Sequence, residues 1–362
     1  MSVCNTYHEY FMSIALRIAT IAKGYTSPNP AVGAIITKNN KIISYGYHPY
    51  AGMPHAESFA IEKAKYIPKG SSLWVSLEPC CHYGKTPPCT KAIIDSGIKN
   101  VFIATEDPNP IVNGKGIQEL LKANINVKCG ILKNQAQSIN KEYFTYYLKK
   151  RPFIRLKFAQ TLDAKMANSN YQSKWLSSEN TRFFTHRLRA ISDAILIGVN
   201  TVIHDNPALN IRIANLGNKK FYKIILDPYL KTPVNSILFN DPYPVIIFTN
   251  SNSTKQYPNN CEIIQLPLIK NKFNLNEILK ILFEKKIQAI LIEGGAATIS
   301  SFIEENLVDE LYAVIAPKIM GGINSISFSQ QIKEKPINEL LLLHSPEIIS
   351  IDDDIIIKYE FT

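Results

Sequence analysis

The sequence predicts an α/β protein of two consecutive domains, the first carrying a candidate zinc site and the second a mainly parallel sheet. Three observations carry this reading. Short apolar runs bounded by turn residues alternate with segments of helical periodicity, the pattern of layered α/β folds. The length of 362 residues exceeds one ordinary core and suits two. A basic, proline-stopped junction at Lys149-Lys150-Arg151-Pro152 then breaks the chain, which places the boundary between residues 150 and 151 and gives domains 1–150 and 151–362.

Apolar residues make up 46% of the chain, a globular share, and no run of about 18 uncharged apolar residues is present to span a bilayer. The start, Met1-Ser2-Val3-Cys4-Asn5, lacks the basic-then-apolar layout of a secretion signal. A cytoplasmic protein with no membrane partner is therefore expected. The cysteines Cys4, Cys80, Cys81, Cys89, Cys129 and Cys261 are too sparse for a disulfide scaffold, and the clustering of three of them favours a metal. The formal charge of +10 fits phosphate-bearing substrates or nucleic acid. Its lysines, Lys219-Lys220 and Lys285-Lys286 among them, are scattered rather than massed on one periodic face, which favours solvated surface and argues against a nucleic-acid partner.

Taken in order, Tyr7 to Ala22 is an amphipathic helix, with Phe11, Ile14, Ala15, Ile18 and Ala22 at helical spacing. Ser27-Pro28-Asn29-Pro30 stops it, since each proline restricts its predecessor and cannot donate. The runs Ala31 to Thr37 and Ile42 to Tyr45 flank the turn Lys38-Asn39-Asn40-Lys41 as a hairpin. Asn29 leads into the first of these strands, either as a ligand-facing amide or as an ordinary turn residue. Pro54 introduces a helix over His55 to Ala64, with His55 and Glu57 in its first turn on different azimuths, so that one can bind and the other serve. Ser72 to Leu77 reads as a buried strand that delivers Glu78-Pro79-Cys80. Thr86-Pro87-Pro88 fixes the loop before Cys89, which opens a short helix closed at Gly97. Val101 to Ala104, Gly116 to Ala123 and Ile125 to Lys128 continue as strand, helix and strand.

His55, Cys80 and Cys89 form a three-ligand set that leaves the fourth tetrahedral position open for water, as catalytic zinc requires. Such a zinc lowers the pKa of water from about 16 to about 7, and Glu57 could carry the protons to a ring nitrogen and to departing ammonia. Hydrolytic deamination of an amino-substituted heterocycle is the chemistry this implies. The order histidine, any residue, glutamate, then proline-cysteine and a second cysteine is that of zinc deaminases, except that eight residues separate Cys80 from Cys89 where the short form has only a pair. A structural zinc with Cys81 or His82 as fourth ligand is the alternative, and it leaves Glu57 without a role.

In the second domain, Phe153 to Ala159 is a strand, and Ser177 or Ser178 caps a helix running through Arg182, Arg187 and Arg189. Ala194 to Gly198, Lys223 to Leu226, Val245 to Phe248 and Ala289 to Ile292 read as buried strands, with a helix marked by Leu275, Ile278, Leu279, Leu282 and Phe283 before the last. Alternation of this kind predicts a mainly parallel sheet covered on both faces. The last strand runs into Glu293-Gly294-Gly295, where adjacent glycines before a helix let backbone amides approach an anion or simply make a tight turn. Trp175 reads equally as a core aromatic and Arg189 as a solvated helix residue.

His55-Ala56-Glu57, Glu78-Pro79-Cys80 and Gly84-Lys85-Thr86-Pro87-Pro88-Cys89, with Ser27 to Gly33 and Gly46-Tyr47-His48, resemble the deaminase half of the bifunctional riboflavin-biosynthesis deaminase/reductase family. Phe158 to Asp163, Ser173-Lys174-Trp175, Arg189, Thr201, Asp205 to Leu209, Arg212 and Glu293-Gly294-Gly295 resemble, in order, its reductase half. The resemblance implies a cytidine-deaminase-like three-layer domain followed by a dihydrofolate-reductase-like domain. By the same resemblance, Glu57 is catalytic, His55, Cys80 and Cys89 hold Zn2+, and Asn29 meets the substrate. Ala159, Trp175, Thr201, Asp205 and the run Gly295, Ala296, Ala297, Thr298, Ile299, Ser300 and Ser301 line NADPH. Ser173, Arg189, Leu209, Arg212 and Glu293 line a phosphorylated pyrimidine, whose phosphate suits the arginines. The implied reactions are deamination of a phosphoribosylated diaminopyrimidine and NADPH-dependent reduction of its ribosyl group to ribityl, in a homo-oligomer. Three positions depart from the family pattern: Cys81 stands where serine is usual, Lys85 for arginine, and Ala164 for glycine.

Overall fold

The computed structural model describes residues 7–84, 87–213 and 220–361, so that Lys85 and Lys219 lie outside the described residues. The chain divides into two compact units, Met1–Lys150 and Arg151–Thr362.

Unit one runs α1 (Tyr7–Ala19), a 3-10 turn (Thr20–Ala22), β1 (Gly33–Lys38), β2 (Lys41–Tyr47), α2 (Ala56–Ala64), β3 (Ser72–Val75), α3 (Cys89–Asp95), β4 (Asn100–Ile103), α4 (Lys115–Lys122), β5 (Asn126–Cys129), α5 (Lys133–Ile139) and α6 (Lys141–Lys149). Asn39 and Asn40 both take positive φ, which is what a two-residue hairpin turn between β1 and β2 demands. The sheet order is β2-β1-β3-β4-β5 among the described residues, with β1 antiparallel to both neighbours and β3, β4 and β5 parallel. Successive strand residues point to opposite faces, and the core follows suit. Ala34, Ile36, Leu73 and Val75 pack under Ala56, Ala60, Ile93 and Leu120 of α2, α3 and α4. Ile35 and Trp74 pack with Phe11, Met12, Ala15 and Leu16 of α1 and Ala136 of α5 on the other side. Helices thus cover both faces of the sheet, a three-layer arrangement. Gly46 makes the α2 side possible: a Cβ there would lie 2.3 Å from the Ala56 carbonyl oxygen, so only glycine lets the start of α2 settle on β2.

Unit two contains β6 (Phe153–Thr161), α7 (Glu179–Ala190), β7 (Ala194–Gly198), α8 (Val199–Asp205), β8 (Tyr222–Leu226), β9 (Val245–Thr249), β10 (Cys261–Gln265), the small pair β11 (Leu268–Ile269) and β12 (Lys272–Phe273), α9 (Leu275–Glu284), β13 (Ala289–Ile292), α10 (Ala296–Glu304), β14 (Glu310–Ala316), β15 (Glu347–Ile351) and β16 (Asp354–Glu360). The main sheet has the order β10-β9-β8-β7-β13-β6-β14-β16-β15. It is parallel from β10 to β14 and antiparallel through β16 and β15. Because β13 inserts between β7 and β6, the chain reverses its direction of winding there, and the carboxyl ends of these strands border a crevice, where open α/β sheets take their ligands. Ser178 is the N-cap of α7, its hydroxyl accepting the Thr181 N–H, and Asn274 caps α9 in the same way.

The sequence reading and the structure differ at several edges. The expected strand to Leu77 ends at Val75, and Ser76 and Leu77 bend the chain on its way to Glu78 and Cys80. His55 is the N-cap of α2 rather than part of its first turn. The antiparallel β14, β16 and β15 edge was not expected from local pattern.

Candidate active sites

In unit one, His55 is the N-cap of α2, Cys89 opens α3, and Cys80 lies on the bent segment that follows β3. His55 Nδ1 lies 3.4 Å from Cys80 Sγ and 3.3 Å from Cys89 Sγ. The three ligand atoms all fall within 4.8 Å of one another, and among the described residues neither Cys81 nor His82 joins them. Tetrahedral zinc with Zn–S of about 2.3 Å and Zn–N of about 2.1 Å needs nitrogen–sulfur edges of about 3.6 Å, so this donor set fits the ion. Hydrogen bonds from Cys89 and His55 lower the Cys80 thiol to about 4. The Cys89 thiol is raised by its bond to Cys80 and by burial, and His55 is raised by Cys80. The cup therefore already favours one thiolate, and a dication would ionise the second.

Glu57 follows His55 on the next face of the helix and is only 3% exposed. Burial pushes its carboxyl up to about 7, despite the opposing pull of His55. A carboxyl at that value can take and return a proton near neutrality. It shares a cavity of about 270 Å³ with His55, Cys80, Asn29, His48 and Asp107.

The walls of this cavity are fixed by polar anchors. His48 Nδ1 donates to the Pro54 carbonyl at 3.1 Å, so its Nε2 accepts the Asn29 Nδ2–H at 3.0 Å. This chain orients the Asn29 amide and holds the residue before His55. Asn140 closes on Ala31 from both sides, accepting its N–H at 2.8 Å and donating to its carbonyl at 2.9 Å. Glu78, also 3% exposed, accepts the N–H groups of Asp107, Gly114 and Ile117 at 3.2, 2.9 and 3.1 Å, which ties the Cys80 segment to the start of α4. Gly116 permits the approach, since a Cβ there would meet the Pro79 carbonyl oxygen at 2.1 Å.

Sequence reasoning missed Asp107, Asn109 and Tyr143, which line the same cavity. Asp107 accepts the Tyr143 hydroxyl at 3.0 Å and the Asn109 N–H at 2.8 Å, and burial raises its carboxyl to about 6. The available signal was the Asp107-Pro108-Asn109-Pro110 loop after a parallel strand, at the carboxyl end where ligands gather.

In unit two, a cavity of about 750 Å³ opens at the carboxyl ends of β6, β7 and β13. It gathers Ala159, Ser173, Trp175, Arg189, Thr201, Asp205, Leu209, Arg212 and Glu293 from segments scattered along the chain. Arg189 grips Glu293 in a two-point pair, Nε to Oε1 at 2.7 Å and Nη2 to Oε2 at 2.9 Å, and its Nη1 donates to the Asn210 carbonyl at 2.7 Å. Burial raises the Glu293 carboxyl, but Arg189 outweighs it and holds it below its ordinary value. Ser173 Oγ donates to Asp205 Oδ1 at 3.4 Å, and Lys174 Nζ to the Asp205 carbonyl at 2.7 Å. Trp175 is 64% exposed, so it is not a core residue, and the Arg182 guanidinium stands 4.7 Å from its ring centre.

The run Gly295 to Ser301 enters α10. A Cβ on Gly295 would meet the Thr201 hydroxyl at 3.7 Å, whereas Ile299 is a core residue and Ser300 donates to the Phe328 carbonyl. Two further pocket residues went unnoticed in the sequence, Lys157 and His186. Lys157 sits two residues before Ala159 on the same face of β6, and burial lowers its amine. Ala164 takes φ +63°, the left-handed conformation that glycine adopts without steric cost.

Two protein families match the chain: RibD C-terminal domain over residues 152–357, and cytidine and deoxycytidylate deaminase zinc-binding region over residues 5–105. The chain is 44% identical over 339 residues to riboflavin biosynthesis protein RibD of Aquifex aeolicus, covering 91% of this chain and 95% of that one. It is 32% identical over 354 residues to RibD of Escherichia coli, covering 92% and 96%. Among solved structures it is similar to a diaminohydroxyphosphoribosylaminopyrimidine deaminase/5-amino-6-(5-phosphoribosylamino)uracil reductase from Thermotoga maritima, with a TM-score of 0.87, 35% identity and 98% of each chain covered. Acinetobacter baumannii RibD gives the same TM-score of 0.87 at 32% identity.

Proposed function

This chain belongs to the RibD family of bifunctional riboflavin-biosynthesis enzymes, a zinc-binding deaminase and an NADPH-dependent reductase in one chain, and we propose how its residues divide the two reactions. Residues 1–150 deaminate a phosphoribosylated diaminopyrimidine, and residues 151–362 reduce the ribosyl group of the product to ribityl.

In the first reaction His55, Cys80 and Cys89 hold the zinc, which supplies Lewis acidity and brings the pKa of water toward neutrality. Glu57 takes one proton from the attacking water and delivers it to the ring nitrogen, then takes the second from the hydroxyl added to the ring carbon and delivers it to the departing amino group as the carbonyl forms. Water enters, ammonia leaves, and a ring carbonyl replaces the amino substituent. Asn29, held by His48, and Asp107, held by Tyr143, orient the pyrimidine. The observation that carries this reading is a buried carboxyl, only 3% exposed, beside a convergent His-Cys-Cys cup.

In the second reaction NADPH supplies the hydride, and the protein binds and orients. Ala159, Trp175, Thr201, Asp205 and the start of α10 from Gly295 to Ser301 bound the cofactor side. Ser173, Leu209, Arg212 and the Arg189–Glu293 pair bound the substrate side. Lys157, an amine whose pKa burial lowers, is placed on this wall to give the sugar oxygen its proton.

We place the enzyme in the cytoplasm as a homo-oligomer. Among the described residues no helix is long and apolar enough to cross a membrane. Exposed Ile337, Leu340, Leu341, Leu342 and Ile348 in unit two offer apolar surface for a second copy. The zinc-loaded chain, given the diaminopyrimidine phosphate, should release ammonia and then consume NADPH. Zinc binding without ammonia release would mark the cup as structural.

A further inference from the structure

The reductase cavity contains a histidine that the assignment above leaves without a role. On α7, Arg182, His186 and Arg189 follow one another at spacings of four and three, which stacks them on one face of the helix, and all three line the cavity. Their partners differ. Arg182 Nη1 donates to the Ser177 carbonyl at 2.8 Å, and its guanidinium covers Trp175. Arg189 spends three of its N–H groups on Glu293 and the Asn210 carbonyl. His186 Nδ1 accepts the backbone N–H of Arg212 at 3.2 Å. A backbone N–H can only donate, so this bond requires the tautomer that carries its proton on Nε2, while the Asn210 carbonyl, which also faces the ring, favours a proton turned toward it.

Two side chains three residues apart on α7 therefore hold the two ends of one short segment, Arg189 at the Asn210 carbonyl and His186 at the Arg212 N–H. From that segment the Arg212 side chain departs, its Nε donating to Asn210 Oδ1 at 3.3 Å, which leaves both Nη groups for a ligand among the described residues. A guanidinium with its fork exposed is the natural partner of a phosphate. Resting on the reductase assignment above, we propose that His186 is a positioning residue: by accepting the Arg212 N–H it fixes the Asn210–Arg212 segment, and so aims the Arg212 fork at the phosphate of the substrate. Burial, followed by the neighbouring Arg189 and by Arg212, lowers the imidazole to about 4 against the opposing pull of Glu293 and the Asn210 carbonyl, so the ring stays neutral and able to accept through the neutral range.

The test compares the full chain with His186→Leu, which removes the acceptor, and His186→Asn, whose Oδ1 can replace Nδ1. With 5-amino-6-(5-phosphoribosylamino)uracil as substrate, His186→Leu should raise KM about tenfold while kcat and the KM for NADPH stay within about twofold, and His186→Asn should restore KM. The loss should vanish with the dephosphorylated riboside. An unchanged KM in His186→Leu, a parallel fall in kcat, or equal damage in both variants would overturn the proposal. Nitrogen-15 NMR of the histidine-labelled chain reads the clamp without turnover: an Nε2–H tautomer at His186 supports it and an Nδ1–H tautomer refutes it. Failure of the parent enzyme to reduce this substrate would count against the reductase assignment alone, since the tautomer still decides the clamp.

Discussion

Replacing Glu78 by glutamine tests how the zinc cup is held, because this carboxylate ties the Cys80 segment to backbone donors on two other segments. Oε2 accepts the Asp107 and Gly114 N–H groups, and Oε1 accepts that of Ile117. Glutamine offers only one acceptor oxygen. Turned to keep the Asp107 and Gly114 bonds, it sets its NH2 against the Ile117 N–H, which then goes unsatisfied. A buried unsatisfied donor costs about 1–3 kcal/mol, and the two surviving bonds lose their charge assistance, for a sum of roughly 3 kcal/mol. In a unit of this size each 1 kcal/mol moves the midpoint by about 2–4 °C, so unit one should melt roughly 6–12 °C earlier. Zinc affinity should fall too, since the loosened segment carries Cys80. Calorimetry with and without zinc, together with chelator competition, measures both. A Glu78→Gln protein that melts within about 1 °C of the parent and binds zinc as tightly would refute the reasoning.

Other consequences are as direct. Ala164→Gly should raise the midpoint of unit two by roughly 2–4 °C, because relief of the left-handed alanine, about 1–2 kcal/mol, exceeds the entropy that glycine adds to the unfolded chain. Gly116→Ala should destabilise unit one in a thermal melt, since the new Cβ would collide with the Pro79 carbonyl oxygen. Asp163 is held down to about 2 by the Thr161 hydroxyl and then by the Met320 and Gly321 N–H groups. Its folded value lies below the ordinary 3.8, so its contribution is full above pH 3.8 and is lost as pH falls through about 2. Asp163→Asn should accordingly speed hydrogen exchange at Met320 and Gly321 at neutral pH, and this excess should shrink in acid. Lys157→Met should cut kcat of the reductase while ammonia release continues, which a stopped assay of each product would show.

The parts of the fold that local chemistry determines were legible in the sequence. Asn39-Asn40 announces its own turn, and the apolar runs at β7, β8, β9 and β13 can hardly be anything but buried strands. The cup was legible because His55, Cys80 and Cys89 are rare residue types at spacings set by one helix and one loop. What stayed hidden depends on convergence. Asp107 and Tyr143 lie in separate elements of unit one and meet only when α6 folds over the end of β4. Lys157 looks like an interruption in an apolar strand, and His186 like one more polar residue on an arginine-rich helix. At the β14, β16 and β15 edge, β14 joins β6 in parallel and only β16 and β15 run antiparallel, so the apolar pattern of these strands does not distinguish the two pairings. The two-residue turn at Asp352-Asp353, with Asp352 at positive φ, was the signal that went unread.

The central claim is that two chemically independent sites act in turn, and Glu57→Gln separates them most directly. Ammonia release from the diaminopyrimidine phosphate and NADPH oxidation on the already deaminated substrate should be measured on the same zinc-loaded preparation. The account predicts no ammonia, retained zinc and an undiminished rate of NADPH oxidation. Loss of both activities in a folded, zinc-loaded Glu57→Gln chain would contradict it.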